Sequence, residues 1–241
     1  MIPADVNQLS GFNGDVIVWL NQFSQVSAGF NRFINYVSSS PLTKGIPVMG
    51  LLWYFWFRDT DNSGRTRRLI ISVLIGCFFA LFLARILNNM IIHPRPISVS
   101  SLHFQSLAGV QPVEQQAMFD QNSFPSDHAT LFFSLTTGIF LLSRRAGAVA
   151  LAYVGIAICL PRMYLGLHYP GDILAGAALG TVSVLLFASM PARRLYESHV
   201  NRLLQRHPAA FQTALFMLSV EMCFMFDDVR RLLKGLSRFL G

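Results

Sequence analysis

Charged residues are scarce in this chain of 241 residues, since only 13% are Asp, Glu, Lys or Arg whereas 53% are hydrophobic. A soluble domain carries about 25% charged residues, so this share is too small to cover a water-exposed surface. The apolar content also excludes an intrinsically disordered chain, because there is ample apolar surface to bury. The composition therefore predicts an integral membrane protein that forms one domain over residues 1–241.

Cysteines are few as well: Cys77, Cys159 and Cys223 lie in apolar runs and show no CxxC spacing. We interpret them as small hydrophobic side chains and not as disulfide partners or metal ligands. Acidic residues number 12 against 19 basic ones, which gives a net charge of +7. In a membrane protein this excess indicates cytoplasmic loops and anionic lipid headgroups as partners, and no nucleic acid. The N-terminal MIPADVNQLSG has no basic region followed by an apolar run, so we expect no cleaved signal peptide.

Apolar runs of helical length predict an all-α membrane bundle of about six transmembrane helices. The candidate spans are 69–92, 173–190, 45–57, 129–142 and 146–161. The stretch 15–37 repeats apolar residues at helical spacing with polar ones between them, so it is either a first span or an interfacial helix. The run 209–226 is apolar but contains Glu221, and it too can span or lie in the interface.

Three arginine-rich loops orient the bundle. They fall in 58–68, 144–145 and 193–206, and the positive-inside rule places all of them in the cytoplasm. The stretches 93–128 and 162–172 then share the outer face, where four of the six histidines lie. Residues 191–241 are predicted to form a cytoplasmic C-terminal extension that ends in a basic amphipathic helix on an anionic membrane face.

Three polar clusters lie at the outer ends of the predicted spans: NNMIIHPRP at 88–96, FPSDH at 124–128 and RMYLGLHYPGD at 162–172. Arg95 and Arg162 are permanent cations whose guanidinium forks match phosphate or carboxylate oxygens. Ser126 or Asp127 can cap the helix that follows, and its free N–H groups form a natural anion site. His128 in the first turn of that helix then faces the bound anion.

His168 and Asp172 form the candidate nucleophilic pair. A bent loop through residues 170–171 is expected to bring the Asp172 carboxylate to one imidazole nitrogen and leave the other free to attack. Two alternatives stay open: Asp172 is only a helix cap, or His128, His168 and Asp172 ligate zinc, beside two arginines that make a dication site electrostatically awkward. His93 is interpreted as structural.

In this order, the clusters resemble the three-part signature of the phosphatidic acid phosphatase type 2 superfamily, K-x6-R-P, P-S-G-H and S-R-x5-H-x3-D. The first cluster ends in the required Arg-Pro, the second reads Pro-Ser-Asp-His at 125–128, and the third keeps the Arg, His and Asp spacing. Asn88 stands where the family has lysine, Pro161 where it has serine, and Asp127 where it has glycine. Arg85, one turn before Asn88, is a second candidate for the lysine's role. The HPRP and FPSDH forms are most like the bacterial undecaprenyl-diphosphatase branch.

The resemblance implies a role for each matched residue. His168 would attack phosphorus and form a phosphohistidine, Asp172 would orient it, and His128 would protonate the leaving oxygen and then activate water. The residues implied to hold the phosphate are Arg95, Arg162, Ser126, Asp127, Asn88 and Arg85. The resemblance implies no metal and no cofactor, since arginines and the helix start supply the positive charge.

The function that the resemblance implies is hydrolysis of a lipid diphosphate. It is most like the conversion of undecaprenyl diphosphate to undecaprenyl phosphate and phosphate at the periplasmic face of a bacterial inner membrane. Hydrolysis of phosphatidate or phosphatidylglycerophosphate and phosphoryl transfer to another lipid are the alternatives within the chemistry. A non-enzymatic alternative is an anion transporter or lipid-binding scaffold, in which the two arginines bind without reaction.

Overall fold

The computed structural model describes residues 11–58, 64–110, 122–226 and 232. The described secondary structure is helical apart from one isolated bridge between Pro94 and Asn122, so the predicted all-α class is confirmed. The helices are α1 (Phe12–Asn21), α2 (Ala28–Ser39), α3 (Pro41–Arg58), α4 (Arg65–Met90), α5 (Asp127–Leu142), α6 (Arg144–Tyr164), α7 (Pro170–Ala188), α8 (Met190–Arg206) and α9 (Pro208–Cys223). Two short 3-10 turns, Pro96–Ser98 and Ser100–Leu102, follow α4.

Within the described ranges, α4, α6 and α7 are long and apolar enough to cross a membrane, and α5 is apolar but shorter. The total of about six spans stays a prediction. The stretch 15–37 is not one span, because it is divided between α1 and α2, which have 10 and 12 residues. At about 1.5 Å per residue, neither helix can cross a hydrocarbon core of about 30 Å.

The centre of the bundle consists of α4, α5 and α7, which pack against one another. Gly176 and Gly180 of α7 face the first turns of α5, where an added Cβ would clash with the carbonyl oxygens of Ser126 and Thr130. Small residues therefore let the two helices approach closely. The three cysteines are buried and free, as expected of hydrophobic packing residues.

The helices from α4 to α7 each connect an arginine-rich end to a polar cluster. The start of α4 is joined to α8 at the arginine-rich end, where Arg68 Nε lies 3.0 Å from Glu197 Oε1. The opposite ends of these helices carry the three clusters. The division that the positive-inside rule predicts, with arginines at one end and the candidate site at the other, is thus present in the fold.

Helix α9 runs antiparallel to α3. Trp53 Nε1 donates to Ser219 Oγ at 2.9 Å, and further along Gly45 packs directly against Cys223. The end of α9 therefore lies beside the start of α3 and away from the arginine-rich end.

This path differs from the expected cytoplasmic extension over 191–241. Helix α8 lies at the arginine-rich end as expected, but 208–226 return through the bundle because their apolar side chains pack against α3. Met225 and Phe226 then lie near Arg85 and Asp127, close to the polar clusters. The predicted basic amphipathic helix of the tail falls on 227–241, which lies outside the described residues except for residue 232.

Candidate active site

Backbone hydrogen bonds tie the three polar clusters together in pairs. The bonds run from Ser123 N to the His93 carbonyl (2.8 Å), from Ser126 N to the Asp172 carbonyl (3.1 Å) and from Ile97 N to the Gly166 carbonyl (3.0 Å). The first joins the segment before α5 to the end of the first cluster, the second joins α5 to α7, and the third joins the loops after α4 and α6. Three stretches that are far apart in sequence therefore form one site.

His168 lies at the centre of this site and is only 4% exposed. Its Nδ1 lies 2.9 Å from the carbonyl oxygen of Ser123. A carbonyl oxygen can only accept, so Nδ1 carries the hydrogen and Nε2 carries the lone pair of the neutral ring. Burial, with the charges of Arg162 and Arg95, lowers the pKa of His168 well below 6.5. The ring is therefore neutral at pH 7, as a nucleophile must be.

Asp172 does not make the expected hydrogen bond to His168. Its Oδ2 lies 3.9 Å from His168 Nδ1 and instead accepts from the backbone N–H of Tyr169 at 2.7 Å. The reason is that α7 already begins at Pro170, so that Asp172 lies in the first helical turn and caps it. The chain bends before the helix, at 165–169, and not at 170–171. Asp172 therefore lies beside His168 without setting its tautomer.

Ser123 takes the orienting role that was expected of Asp172. Its carbonyl accepts from His168, and its Oγ lies 2.7 Å from His93 Nδ1, which in turn is 3.7 Å from Asp172 Oδ1. His93 thus belongs to the frame that holds Ser123 in place, in agreement with its structural interpretation. Sequence patterns did not single out Ser123, because the contact to His168 uses a backbone carbonyl, which every residue has.

Arg162 faces His128. Its Nη2 lies 2.5 Å from His128 Nε2 and 3.3 Å from the carbonyl oxygen of Ser38. Because a guanidinium only donates, His128 Nε2 accepts this hydrogen bond. Arg162 sits near the end of α6, directly after Pro161 and a π-helical turn over Val154–Cys159. Such turns occur often at functional sites.

The start of α5 presents its free backbone N–H groups to the candidate site. Ser126 is the N-cap, since its Oγ accepts from the backbone N–H of Ala129 at 3.4 Å. The charge of Arg95 reaches both His128 and His168, as does that of Arg162. Two permanent cations and a helix start therefore surround the two histidines, an arrangement that stabilises the charge of a phosphoryl group in transfer.

Asn88 and Arg85, the two candidates for the role of the lysine in the family's first motif, are both bonded to groups other than the histidines. The Asn88 amide donates to the carbonyls of Asn122 (3.2 Å) and Phe124 (3.1 Å), and so it holds the segment before α5. Arg85 Nη2 lies 2.8 Å from Asp127 Oδ2, and both residues line an apolar cavity of about 210 Å³. Arg95 is the candidate phosphate-binding residue of the first cluster whose charge acts on both histidines.

Lys44 is a further cation near the site that sequence patterns did not single out. It lies in the first turn of α3, is only 7% exposed, and acts electrostatically on His128. The sequence feature that could have identified Lys44 is that it is a single charged residue directly before the predicted span 45–57. A lysine at the end of a span ordinarily extends to the interface, so its burial here marks it as a candidate functional residue.

The groups around the histidines include arginines, hydroxyl groups and the Asp172 carboxylate. In the part of the chain that the structure describes, no group of three or more His, Cys, Asp or Glu side chains is arranged to hold a metal ion. The zinc alternative thus has no ligand cluster to support it in those ranges.

Comparisons with known proteins agree with the motif resemblance. Bacitracin transport permease protein BcrC of Bacillus licheniformis is 31% identical over 175 residues, covering 68% of this chain and 79% of the relative. YbjG of Escherichia coli (strain K12), provisionally named an undecaprenyl-diphosphatase, is 25% identical over 161 residues, covering 67% and 71%. The undecaprenyl-diphosphatase of Sulfolobus acidocaldarius is 24% identical over 154 residues, covering 62% and 66%.

No solved structure matches the chain significantly. The family model of the PAP2 superfamily matches residues 69–196, more than half of the chain, and this range contains all three polar clusters and the helices that carry them. Together with the relatives, this match shows that the chain belongs to the PAP2 superfamily and supports its activity as a membrane lipid phosphatase.

Proposed function

We propose that the protein hydrolyses a lipid diphosphate, and that undecaprenyl diphosphate is its substrate and undecaprenyl phosphate and phosphate are its products. The observation that carries the proposal is the state of His168, a neutral imidazole with a free Nε2 beside Arg95 and Arg162. Two relatives that carry undecaprenyl-diphosphatase in their names support the choice of lipid.

In the first step, His168 Nε2 attacks the terminal phosphorus of the diphosphate. A nitrogen–phosphorus bond forms, the bond from phosphorus to the bridging oxygen breaks, and the lipid monophosphate leaves with the electron pair. Arg95 and Arg162 neutralise the oxygens of the transferred phosphoryl group. A guanidinium has five N–H donors, so Arg162 can contact His128 and a phosphate oxygen together.

In the second step, water attacks the phosphohistidine. The nitrogen–phosphorus bond breaks, phosphate leaves and His168 returns to its neutral form, while His128 Nε2 exchanges its hydrogen bond from Arg162 for one from the water and takes the water's proton. In the first step His128 protonates the leaving oxygen only from its imidazolium form, in which Nε2 carries a hydrogen and no longer accepts from Arg162. A diphosphate depends less on this proton than a monoester does, because a phosphate monoester is a better leaving group than an alkoxide.

The position of the site fits a lipid substrate. The clusters lie at the ends of apolar helices, so that a headgroup can enter while its tail stays in the bilayer. The arginine-rich loops lie at the other end of the bundle and are expected to be cytoplasmic. We therefore place the site at the periplasmic face of a bacterial inner membrane.

Phosphate release by the purified protein in detergent with EDTA tests this proposal, with undecaprenyl diphosphate, phosphatidate and phosphatidylglycerophosphate compared side by side. We expect the diphosphate to be preferred, and we expect His168→Asn to abolish the release of phosphate. His103→Asn is the matched control, since His103 is an exposed histidine on a loop beside the site. Equal hydrolysis by wild type and His168→Asn would contradict the proposal, and binding without hydrolysis would favour the transporter or scaffold.

A further inference from the structure

The lysine of the family's first motif has no direct replacement within that motif. Asn88 stands at its position, but the Asn88 amide is bonded to the backbone of Asn122 and Phe124. Arg85, one turn earlier, is paired with Asp127. The positive charge that the family places there must come from another part of the chain or be missing from the site.

The start of α3 brings a lysine to the site from outside the motifs. Two contacts hold this segment in place: Arg162 Nη2 donates to the Ser38 carbonyl at 3.3 Å, and the Tyr153 hydroxyl donates to the Thr43 carbonyl. Both donors belong to α6, the helix that also presents Arg162 to His128. Lys44 follows directly, and its side chain is buried where the start of α3 meets α6.

The segment before Lys44 approaches the site on the side of His128, because one nitrogen of Arg162 bridges the two: Nη2 lies 3.3 Å from the Ser38 carbonyl oxygen and 2.5 Å from His128 Nε2. The charge of Lys44 accordingly acts on His128. In the reaction proposed above, His168 receives the transferred phosphoryl group and His128 serves the leaving oxygen. For a lipid diphosphate the leaving group is itself a phosphate, whereas for a lipid monophosphate it is an uncharged alcohol.

We propose that Lys44 binds the lipid-linked phosphate of a diphosphate substrate and thereby makes the site selective for diphosphates over monoesters. The inference rests on the proposed function and adds a second phosphate subsite to it. The subsite combines the Lys44 ammonium with His128, and the same contacts hold the lipid monophosphate product before it leaves.

Inhibition of farnesyl diphosphate hydrolysis separates the two subsites. Farnesyl monophosphate occupies the Lys44 subsite, whereas orthovanadate mimics the phosphoryl group at His168. We expect Lys44→Met to weaken inhibition by farnesyl monophosphate about 10- to 100-fold, the value of a charge-assisted hydrogen bond, and inhibition by orthovanadate less than about threefold. Lys44→Arg should stay close to wild type for both inhibitors. An inhibition constant does not depend on the fraction of active protein, so partial misfolding leaves the comparison valid.

Arg32→Met is the charge-matched control, since Arg32 is an exposed cation of α2 near the start of α3, and it should change neither constant. If Lys44→Met shows no turnover, the dissociation constants of the two ligands are measured by calorimetry on Lys44→Gln and judged by the same criterion. If Lys44→Met changed the inhibition constants of both ligands equally, or changed neither, the inference would be overturned. Hydrolysis of the diphosphate by the wild-type protein would still uphold the proposed function. A wild-type protein that hydrolyses no lipid diphosphate would overturn both.

Discussion

His168 Nδ1 lies 2.9 Å from the carbonyl oxygen of Ser123, whereas the nearest oxygen of Asp172 is 3.9 Å from the same nitrogen. A backbone carbonyl, and not a carboxylate, therefore sets which nitrogen of the proposed nucleophile is free. The carboxylate caps α7 and lies close enough to the ring for its charge to stabilise a phosphohistidine. This division of roles decides what substitutions at the two positions should do.

Asp172→Asn should lower kcat by about 10- to 100-fold, because it removes the charge that stabilises a phosphohistidine but keeps an acceptor for the Tyr169 N–H. The tautomer of His168 is held by Ser123 and should not change. Steady-state kinetics of Asp172→Asn beside His168→Asn checks this. If the two variants lost equal activity, Asp172 would have to hold His168 directly in the working enzyme.

Arg162→Ala should lower kcat/KM by about 100- to 1000-fold, the usual cost of removing one donor to a developing oxyanion. Arg95→Ala should behave alike, since both charges reach both histidines. Phosphate release by each variant, beside the control Arg32→Ala, is the measurement. Near wild-type activity of either variant would show that its guanidinium does not hold the phosphate.

Asn88→Ala should affect stability more than catalysis. It removes two hydrogen bonds to the segment before α5 and leaves their carbonyls without this donor, at a cost of about 1–3 kcal/mol. Thermal unfolding in detergent should show a lower Tm, while kcat/KM falls less than in either arginine variant. A loss of activity as large as that of Arg162→Ala would mean that Asn88 contacts the substrate.

The imidazole of His168 should still be mostly neutral at pH 6.5, where a free histidine is half protonated, because burial and two nearby arginines lower its pKa. A lowered pKa means that protonation, which would remove the nucleophile, begins at lower pH than in a free histidine. An NMR titration of the ring, assigned by comparison with His168→Asn, measures this directly. A midpoint at or above pH 6.5 would contradict the buried neutral state.

The sequence was sufficient for those parts of the site in which the side-chain type carries the chemistry. Arg95, Arg162, His128 and His168 are brought together as the motif spacing predicts, and Ser126 caps α5. Ser123 could not be predicted because its role belongs to the backbone. Lys44 is conspicuous in the sequence as a single charge before the span 45–57, but only the packing of α3 brings it near His128.

Helices were predictable from apolar runs, but the ways in which they end and return were not. The break between α1 and α2 follows from a turn at 22–26 that the helical spacing of apolar residues across 15–37 conceals. The return of α9 along α3 depends on tertiary contacts such as that of Gly45 with Cys223. Charge counting alone placed that segment at the arginine-rich end.

Isolation of the phosphoenzyme shows whether His168 carries the phosphoryl group during turnover. Wild-type protein is mixed with farnesyl diphosphate that carries a radioactive terminal phosphate, quenched in alkali and digested, and the labelled peptide is sequenced. We expect an alkali-stable, acid-labile label on His168 that is absent from His168→Asn and retained in His103→Asn. Phosphate release without any label on His168, or a label on another residue, would contradict the proposed role of His168.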